Sequence, residues 1–451
     1  MNKNKISAWS LAGLALAGPT WAADTDLSFI AGNTYSDNVL LQSEGGPSDN
    51  IGGAAMKLDF SAQGARYDAE LRSAFTYLHY FNDTLDSELL RGFSGEFNAA
   101  FVPGRFVWVV QENYGPVLED PLSPDRPDNW TYDSYFSTGP DVQFGDAAGF
   151  HVIASGRYSR ADYENSEVPA SEQLTGELTF ALPGTERSER SFNVNAQRVE
   201  QGEGSNTNVD VTQDYDRQEA FFRLASQFTR TSLYVEAGGT MLHDAGESSS
   251  APLLRFGIDR NLSRTLSLFV AGGTQYSDNL VRFGRLQDGA PGVDVPRTDV
   301  TRVTDPMQED FAEATLEFRG TRTVAALRTA YNVLDFQNSN SPLASQKYRD
   351  VTLDANRQLT PRLHLNLGGS FAHREFKELA RTDDDLYGYA AIGWLLSSDL
   401  TVQLTGRLTK RDSSDPTAEF TERSVQLEFV YQAIKRQTER PRNKIKHQGL
   451  R

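Results

Sequence analysis

The six histidines are the residues best suited to acid–base or metal chemistry, and none lies in a recognisable catalytic motif. They are His79, His151, His243, His364, His373 and His447. None belongs to a Gly-x-Ser-x-Gly or His-Glu-x-x-His pattern, so the sequence indicates no nucleophile with a paired base. The chain has no cysteine, which excludes a disulfide framework and a thiolate metal site. We therefore predict no enzymatic activity, no catalytic residue and no cofactor.

Two acidic stretches could supply oxygen ligands for calcium. The first contains four aspartates within residues 280–308, and the second is the aspartate run at 383–385. Neither stretch has the ordered ligand spacing and turn glycine of a calcium-binding loop. Arginines are interleaved with the first group of aspartates, which favours internal ion pairing over metal binding. We therefore predict no metal site.

Charged residues at alternate positions of apolar segments could line a water-filled passage and orient polar solutes in it. Ten such residues are Asp68, Glu70, Arg72, Glu219, Arg223, Glu313, Glu317, Arg319, Arg328 and Arg407. Asp68, Glu70 and Arg72, for example, alternate with Ala69 and Leu71. A period of two places the charged and apolar sets on opposite faces of a β-strand. These ten residues are predicted to line a pore.

The same alternation recurs along most of the chain. Leu363 and Leu365 stand opposite His364, which is interpreted as a polar lining residue. The pattern predicts about twenty strands between Leu27 and Tyr431, with about eighteen as the alternative. A soluble β-sandwich could show similar alternation. Charged residues that recur opposite the apolar face favour a membrane barrel instead.

Tight turns and long connections also alternate along the chain. The long connections are expected near residues 36–52, 82–91, 118–128, 164–171, 202–212, 243–250, 280–308, 337–346, 377–385 and 412–419. They are predominantly acidic, within a chain of net charge −17. Short turns on the periplasmic side and long extracellular loops are typical of transmembrane β-barrels. The predicted fold class is therefore all-β, a single antiparallel transmembrane barrel.

The two ends of the chain differ in composition from the predicted barrel, which covers residues 23–434. Lys3 and Lys5 precede an apolar run, and Ala22 offers a small residue for cleavage, so residues 1–22 are predicted to be a cleaved signal peptide. Residues 435–451 form a basic stretch, predicted to be a disordered periplasmic tail that could bind a periplasmic partner. The expected location is the cell outer membrane. Its lipid and lipopolysaccharide are the expected partners, and nucleic acid is not.

Residues 27–81 contain motifs that resemble a known family. Tyr35-Ser36-Asp37-Asn38-Val39 is followed by Ser48-Asp49, then Gly64-Ala65-Arg66-Tyr67 and Tyr77-Leu78-His79-Tyr80. This arrangement is similar to the outer-membrane β-barrel porin families found with exopolysaccharide or exosortase loci. The resemblance implies an outer-membrane barrel that accompanies polysaccharide synthesis or export. It supplies no catalytic motif.

Two functions are compatible with these observations. The first is a channel for polar solutes, with a polysaccharide as one candidate substrate. The second is a surface or scaffold protein whose acidic loops bind a partner and whose lumen is blocked by loops and ion pairs. The sequence favours the first function and leaves the second open.

Overall fold

The computed structural model describes residues 22–120, 122–146, 149–164, 170–185, 187–202, 214–244, 247–278, 306–336 and 345–434. Twenty antiparallel strands account for most of them. The predicted signal peptide, apart from Ala22, and the predicted tail lie outside the described residues. A short 3-10 helix, Pro127–Asn129, is present between two of the strands.

The strands are numbered β1 to β20 in chain order. They are β1 Ala22–Ser36, β2 Asp49–Gln63, β3 Tyr67–Tyr80, β4 Glu88–Val102, β5 Phe106–Leu118, β6 Trp130–Gly145, β7 His151–Tyr163, β8 Ser171–Thr185, β9 Ser188–Gln201, β10 Tyr215–Gln227, β11 Thr231–Asp244, β12 Glu247–Asn261, β13 Leu266–Ser277, β14 Met307–Arg319, β15 Thr323–Phe336, β16 Gln346–Thr360, β17 Leu363–Phe376, β18 Arg381–Leu395, β19 Leu400–Ser413 and β20 Phe420–Ile434. The predicted strand number of twenty is confirmed.

Each strand pairs with its neighbours in the chain, and β1 pairs with β20, so the sheet closes into a barrel. Closure leaves no strand edge unpaired, which removes the aggregation hazard of an open sheet. The first and last strands pair with Phe29 opposite Tyr431 and Ala31 opposite Phe429, and the register shifts once, between Leu27 and Ser28. The predicted single antiparallel barrel is therefore confirmed.

The connections alternate between two ends of the barrel, which we call the turn end and the loop end. At the turn end, Gly104 occupies the tight connection from β4 to β5 with a φ of 72°, a conformation that strongly favours glycine. The loop end carries the longer connections, such as residues 37–48 between β1 and β2. Two of the long connections predicted from the sequence are shorter than expected. Where 243–250 was expected, β11 continues to Asp244 and β12 begins at Glu247; where 377–385 was expected, β18 already begins at Arg381.

The apolar residues of the alternating pattern lie on the outer face of the barrel. Leu254, Phe256 and Ile258 are exposed there, whereas Arg255 and Gly257 between them point inwards. Exposed apolar side chains on every second position are expected when lipid, rather than water, surrounds the barrel. No helix in the described part of the chain is long and apolar enough to cross a membrane.

Exposed aromatic residues lie near both ends of the barrel. Tyr77 and Phe81 are exposed near the loop end, and Phe101 and Phe144 are exposed near the turn end. Such positions match the aromatic girdles that mark the two membrane interfaces. Tyr80, the last residue of β3, by contrast faces inwards and is buried.

Candidate functional site: the barrel lumen

The ten predicted lining residues all lie on the inner face of the barrel, opposite the exposed apolar residues. The register shows this directly, because Arg223 pairs with Glu236 and Arg328 pairs with Thr352 on the same face. The ten differ in their surroundings. Glu219 is buried, whereas Glu313, Arg319 and Arg328 are exposed to the lumen; Asp68, Glu70, Arg72, Arg223, Glu317 and Arg407 are half-buried.

Inner-face charges on neighbouring strands form ion pairs. Arg72 on β3 lies 3.6 Å from Asp59 on β2, and Arg157 on β7 lies 2.7 Å from Asp141 on β6. Because these side chains are directly or diagonally opposite in the register, the barrel wall itself holds their charged groups in place.

An Arg–Glu–Arg triad lies at the middle of this inner face, on β10, β11 and β12. Glu236 pairs with Arg223 on one side, and its Oε2 lies 2.6 Å from Nε of Arg255 on the other. The Glu236 side chain is only 6% exposed, against 23% for Arg223 and 18% for Arg255. Arg223 also stacks over Tyr234, with its Cζ 5.0 Å from the ring centre. The triad therefore ties three strands together on the inner face.

A second network begins where β13 ends. Asp278 is fully buried and accepts a 2.8 Å hydrogen bond from Nε2 of Gln197 on β9. Arg217 on β10 lies 3.7 Å from the Asp278 carboxylate and donates to the Tyr276 carbonyl oxygen at 3.0 Å. Because β11 and β12 separate β10 from β13 in the sheet, these contacts require the end of β13 to lean over the inner face of its neighbours.

Buried apolar residues pack beside this network at the loop end of β5 to β13. The cluster consists of Val117, Tyr135, Ala161, Val199, Tyr215, Leu242, Ala251 and Tyr276. In an open, water-filled barrel such side chains would be exposed to water. Their burial shows that the inner faces of these strands are packed at the loop end, and we call β5 to β13 the packed half.

The remaining strands, β14 to β20 and β1 to β4, have inner faces that are open to solvent at mid-height. Arg328 and Asp354 form an ion pair 3.6 Å long there, with side chains 58% and 43% exposed. Closer to the loop end the same wall is buried, since Asp383 is 2% and Arg411 is 7% exposed. The inner face on this side is therefore more accessible to solvent at mid-height than at the loop end, and we call the accessible part the vestibule.

Residues 122–129, which precede β6, cross the loop end of the barrel, and we call them the mouth loop. Arg126 donates a 2.9 Å hydrogen bond to the carbonyl oxygen of Leu40, in the connection between β1 and β2. Arg381 at the start of β18 donates a 2.8 Å hydrogen bond to the Leu122 carbonyl oxygen. Since β1 to β4, β19 and β20 separate β5 from β18, the loop bridges distant parts of the wall.

The mouth loop contains a titratable group with a perturbed pKa. Burial raises the pKa of Asp125 to about 6, although the indole N–H of Trp130 donates to its carboxylate at 2.7 Å and the charge of Arg411 opposes the shift. Under mildly acidic conditions this carboxyl is protonated and uncharged. Ionisation as the pH rises places a charge at a poorly hydrated position in the loop.

Within the part of the chain that the structure describes, the histidines do not assemble into a catalytic or metal-binding arrangement with one another. His364 lies on the inner face, as predicted, where its ring packs over Gly393 of the neighbouring strand. His373 lies on the outer face, and its Nδ1 is 2.6 Å from Oδ1 of Asp384. Within the described residues, no group of three or more histidine, aspartate or glutamate side chains is arranged to hold a metal ion.

Several residues of the inner-face networks were missed in the sequence. Glu236 and Arg255 complete the triad with the predicted Arg223, and Asp278 closes the second network. The signal for Arg255 was present, because it alternates with Leu254 and Phe256. Asp278 carried no such signal, since its position depends on how β13 leans over strands that are not its neighbours.

A closed barrel with an apolar outer face and a charged inner face defines an outer-membrane β-barrel. A family model described as "Putative beta-barrel porin 2" matches residues 306–433. The match confirms the β-barrel porin resemblance. It covers β14 to β20, whereas the motifs that suggested the resemblance lie in residues 27–81. A search of curated proteins gives no match.

Solved structures of outer-membrane proteins are similar to the chain at low sequence identity. The FrpB iron transporter from Neisseria meningitidis (F5-1 variant) is 11% identical, with a TM-score of 0.49, covering 91% of this chain and 82% of that protein. The Pseudomonas aeruginosa siderophore receptor PirA is 12% identical, with a TM-score of 0.45, covering 92% and 81%. Pseudomonas aeruginosa OccK2 (OpdF), crystallised with glucuronate, is 11% identical, with a TM-score of 0.40, covering 91% and 98%.

Proposed function

We propose that this protein is a channel for polar solutes in the outer membrane, with the mouth loop as its constriction. The exposed Arg328–Asp354 ion pair at mid-height carries the proposal, because charged groups inside a barrel stay exposed only where water reaches them. A hydrated lumen lined by charges of both signs favours polar solutes over apolar ones.

The arrangement of charges supports selectivity for polar solutes of limited width. Arg72 and Asp59 on one side of the vestibule, and Arg328 and Asp354 on the other, each place a positive and a negative group side by side on the wall at mid-height. Such pairs offer both hydrogen-bond donors and acceptors to dipolar solutes as they pass. The packed half occupies part of the cross-section, so the proposed route runs along the vestibule.

A polysaccharide is our proposed substrate, in line with the resemblance to porin families of exopolysaccharide loci. We further propose that residues 1–22 are removed on export and that the loop end faces outwards, where acidic connections meet lipopolysaccharide. The basic tail would then face the periplasm and be available to an acidic partner. Deleting the gene should reduce the polysaccharide released by the cell without reducing its synthesis.

A blocked scaffold is the alternative function. The contacts of the mouth loop favour it, because Arg126 and Arg381 tie this loop to distant parts of the wall. In this case the barrel would present its loops to a partner and pass no solute.

Conductance across a planar bilayer distinguishes the two functions. We expect the purified barrel to give discrete current steps, and a variant with the substitutions Arg126→Ala and Arg381→Ala to be open for a larger fraction of time. The matched control is Arg198→Ala, on the outer face, where Arg198 pairs with Glu200 away from the lumen. Absence of current from both the native barrel and the double variant would support the scaffold.

A further inference from the structure

Two half-buried inner-face tyrosines of β18 form an aromatic surface in the wall of the vestibule. Tyr387 and Tyr389 point into the lumen at mid-height, with ring centres 5.9 Å apart and ring planes inclined at 42°. On the β17 side their cross-strand partners are small, Gly368 and Ser370. These small side chains leave space beside the two rings on the lumen side. We call the pair Tyr387 and Tyr389 the tyrosine platform.

The position of Tyr389 is fixed by the glycine beside it. A Cβ built on Gly368 would lie 2.7 Å from Cζ and 2.9 Å from Oη of Tyr389, so the ring occupies the space above this glycine. A ring that lies flat on the wall has one face against the backbone and turns the other towards the lumen. Tyr389 is half-buried, as this geometry requires.

Hydrogen-bonding and charged groups surround the platform. Oη of Tyr389 lies 3.5 Å from Oδ1 of Asp354, whose other oxygen pairs with Arg328 at 3.6 Å. Arg407 is directly opposite Tyr389 on β19. Among the described residues no carboxylate lies within 4.0 Å of the Arg407 guanidinium, although Glu422 is near enough to feel its charge. Arg407 is therefore available to an anionic ligand.

These features together match the chemistry of an acidic sugar. A pyranose ring has an apolar face of C–H groups that stacks on an aromatic ring, and its hydroxyls bond to flanking polar groups. A uronate carboxylate forms a charge-assisted pair with a guanidinium. We propose that the tyrosine platform binds a uronate-containing saccharide, with the sugar ring on Tyr389, its carboxylate on Arg407 and its hydroxyls on Asp354.

The packed half provides a matched control for this proposal. Tyr234 likewise packs over a glycine, because a Cβ on Gly257 would lie 2.8 Å from its Cζ. Its lumen-facing side, however, is covered by Arg223. Tyr234 thus shares the local packing of Tyr389 but has no free ring face, so replacing it should leave saccharide binding unchanged.

The proposal rests on the proposed channel function for its biological meaning, but its test does not need a current. Binding of trigalacturonate and of the neutral maltotriose to the detergent-solubilised barrel would be measured by calorimetry. We expect Tyr389→Ala to weaken trigalacturonate binding about tenfold, from the loss of the stacking contact. Tyr389→Phe and Tyr234→Ala should bind like the native protein, and Arg407→Gln should weaken trigalacturonate but not maltotriose.

The outcomes separate the two proposals. No trigalacturonate binding by the native barrel, or equal binding by native protein and Tyr389→Ala, would overturn the platform even if the barrel conducts. If binding depends on Tyr389 but the barrel gives no current, the proposed saccharide site is supported and the proposed channel function is contradicted. Heat-modifiable migration on gels, measured for each variant, shows that a lost signal does not reflect a lost fold.

Discussion

Glu236 offers the sharpest test of the packed half, because its single carboxylate pairs with two arginines. The substitution Glu236→Gln removes the negative charge and leaves Arg223 and Arg255 facing each other in a poorly hydrated part of the wall. Breaking a fully buried ion pair costs about 3–5 kcal/mol. Since both arginines keep some exposure to water, we expect the free energy of unfolding to fall by about 2–3 kcal/mol.

Urea unfolding of the barrel in lipid or detergent, followed by gel mobility and tryptophan fluorescence, measures this change. The matched substitution is Glu317→Gln, which removes an inner-face carboxylate paired with Arg319, a side chain 72% exposed. This exposed pair should contribute only about 0–1 kcal/mol. If the two substitutions destabilise the barrel equally, the triad is as hydrated as the exposed pair, and the distinction between packed half and vestibule is wrong.

Three further predictions concern the mouth loop, the vestibule and the orientation of the barrel. Because the pKa of Asp125 is raised to about 6, the stability of the docked mouth loop is lost as the pH rises through that value. A cysteine at Ser123 should therefore react with maleimide as fast as the same cysteine in an Asp125→Asn background at pH 5, and faster than it at pH 8, a comparison that cancels the ionisation of the thiol itself. Equal rates in the two backgrounds at both pH values would contradict the assignment. Replacing Arg328 with serine should shift the reversal potential in a salt gradient towards cation selectivity without loss of heat-modifiable migration. A cysteine at Ser43 should react with an impermeant reagent on whole cells, and one at Ser398 only after the outer membrane is opened; the reverse pattern would invert the barrel.

Alternation, together with the pattern of turns and long connections, predicted most of the strands and which side chains share a face. Leu363 and His364, or Leu71 and Arg72, are assigned to opposite faces by a period of two, and the register places them there. The prediction failed at 243–250, where β11 and β12 continue through a run of polar residues. A hairpin that extends beyond the membrane into water needs no apolar face, so its strands lose the alternation by which they are recognised.

The division of the lumen into a packed half and a vestibule could not be predicted from alternation. Arg223 and Arg328 occupy equivalent positions in their strands, yet one is held in a triad and the other is exposed. The difference depends on the cross-section of the closed barrel and on contacts between strands that are not neighbours, such as Gln197 with Asp278. A period of two specifies a face, but it carries no information about what lies across the lumen from it.

The vestibule also implies an order of events for a solute that crosses the barrel. The wall is buried around Asp383 and Arg411 at the loop end, and it is exposed around Arg328 farther down the strands. If the turn end faces the periplasm, a solute from inside reaches Tyr389 before it reaches the barrier, whereas one from outside meets the barrier first. For outward movement, contact with Tyr389 then precedes passage of the barrier. The direction of net flux is still set by the solute gradient, but the order in which a solute meets the tyrosine and the barrier differs between the two directions.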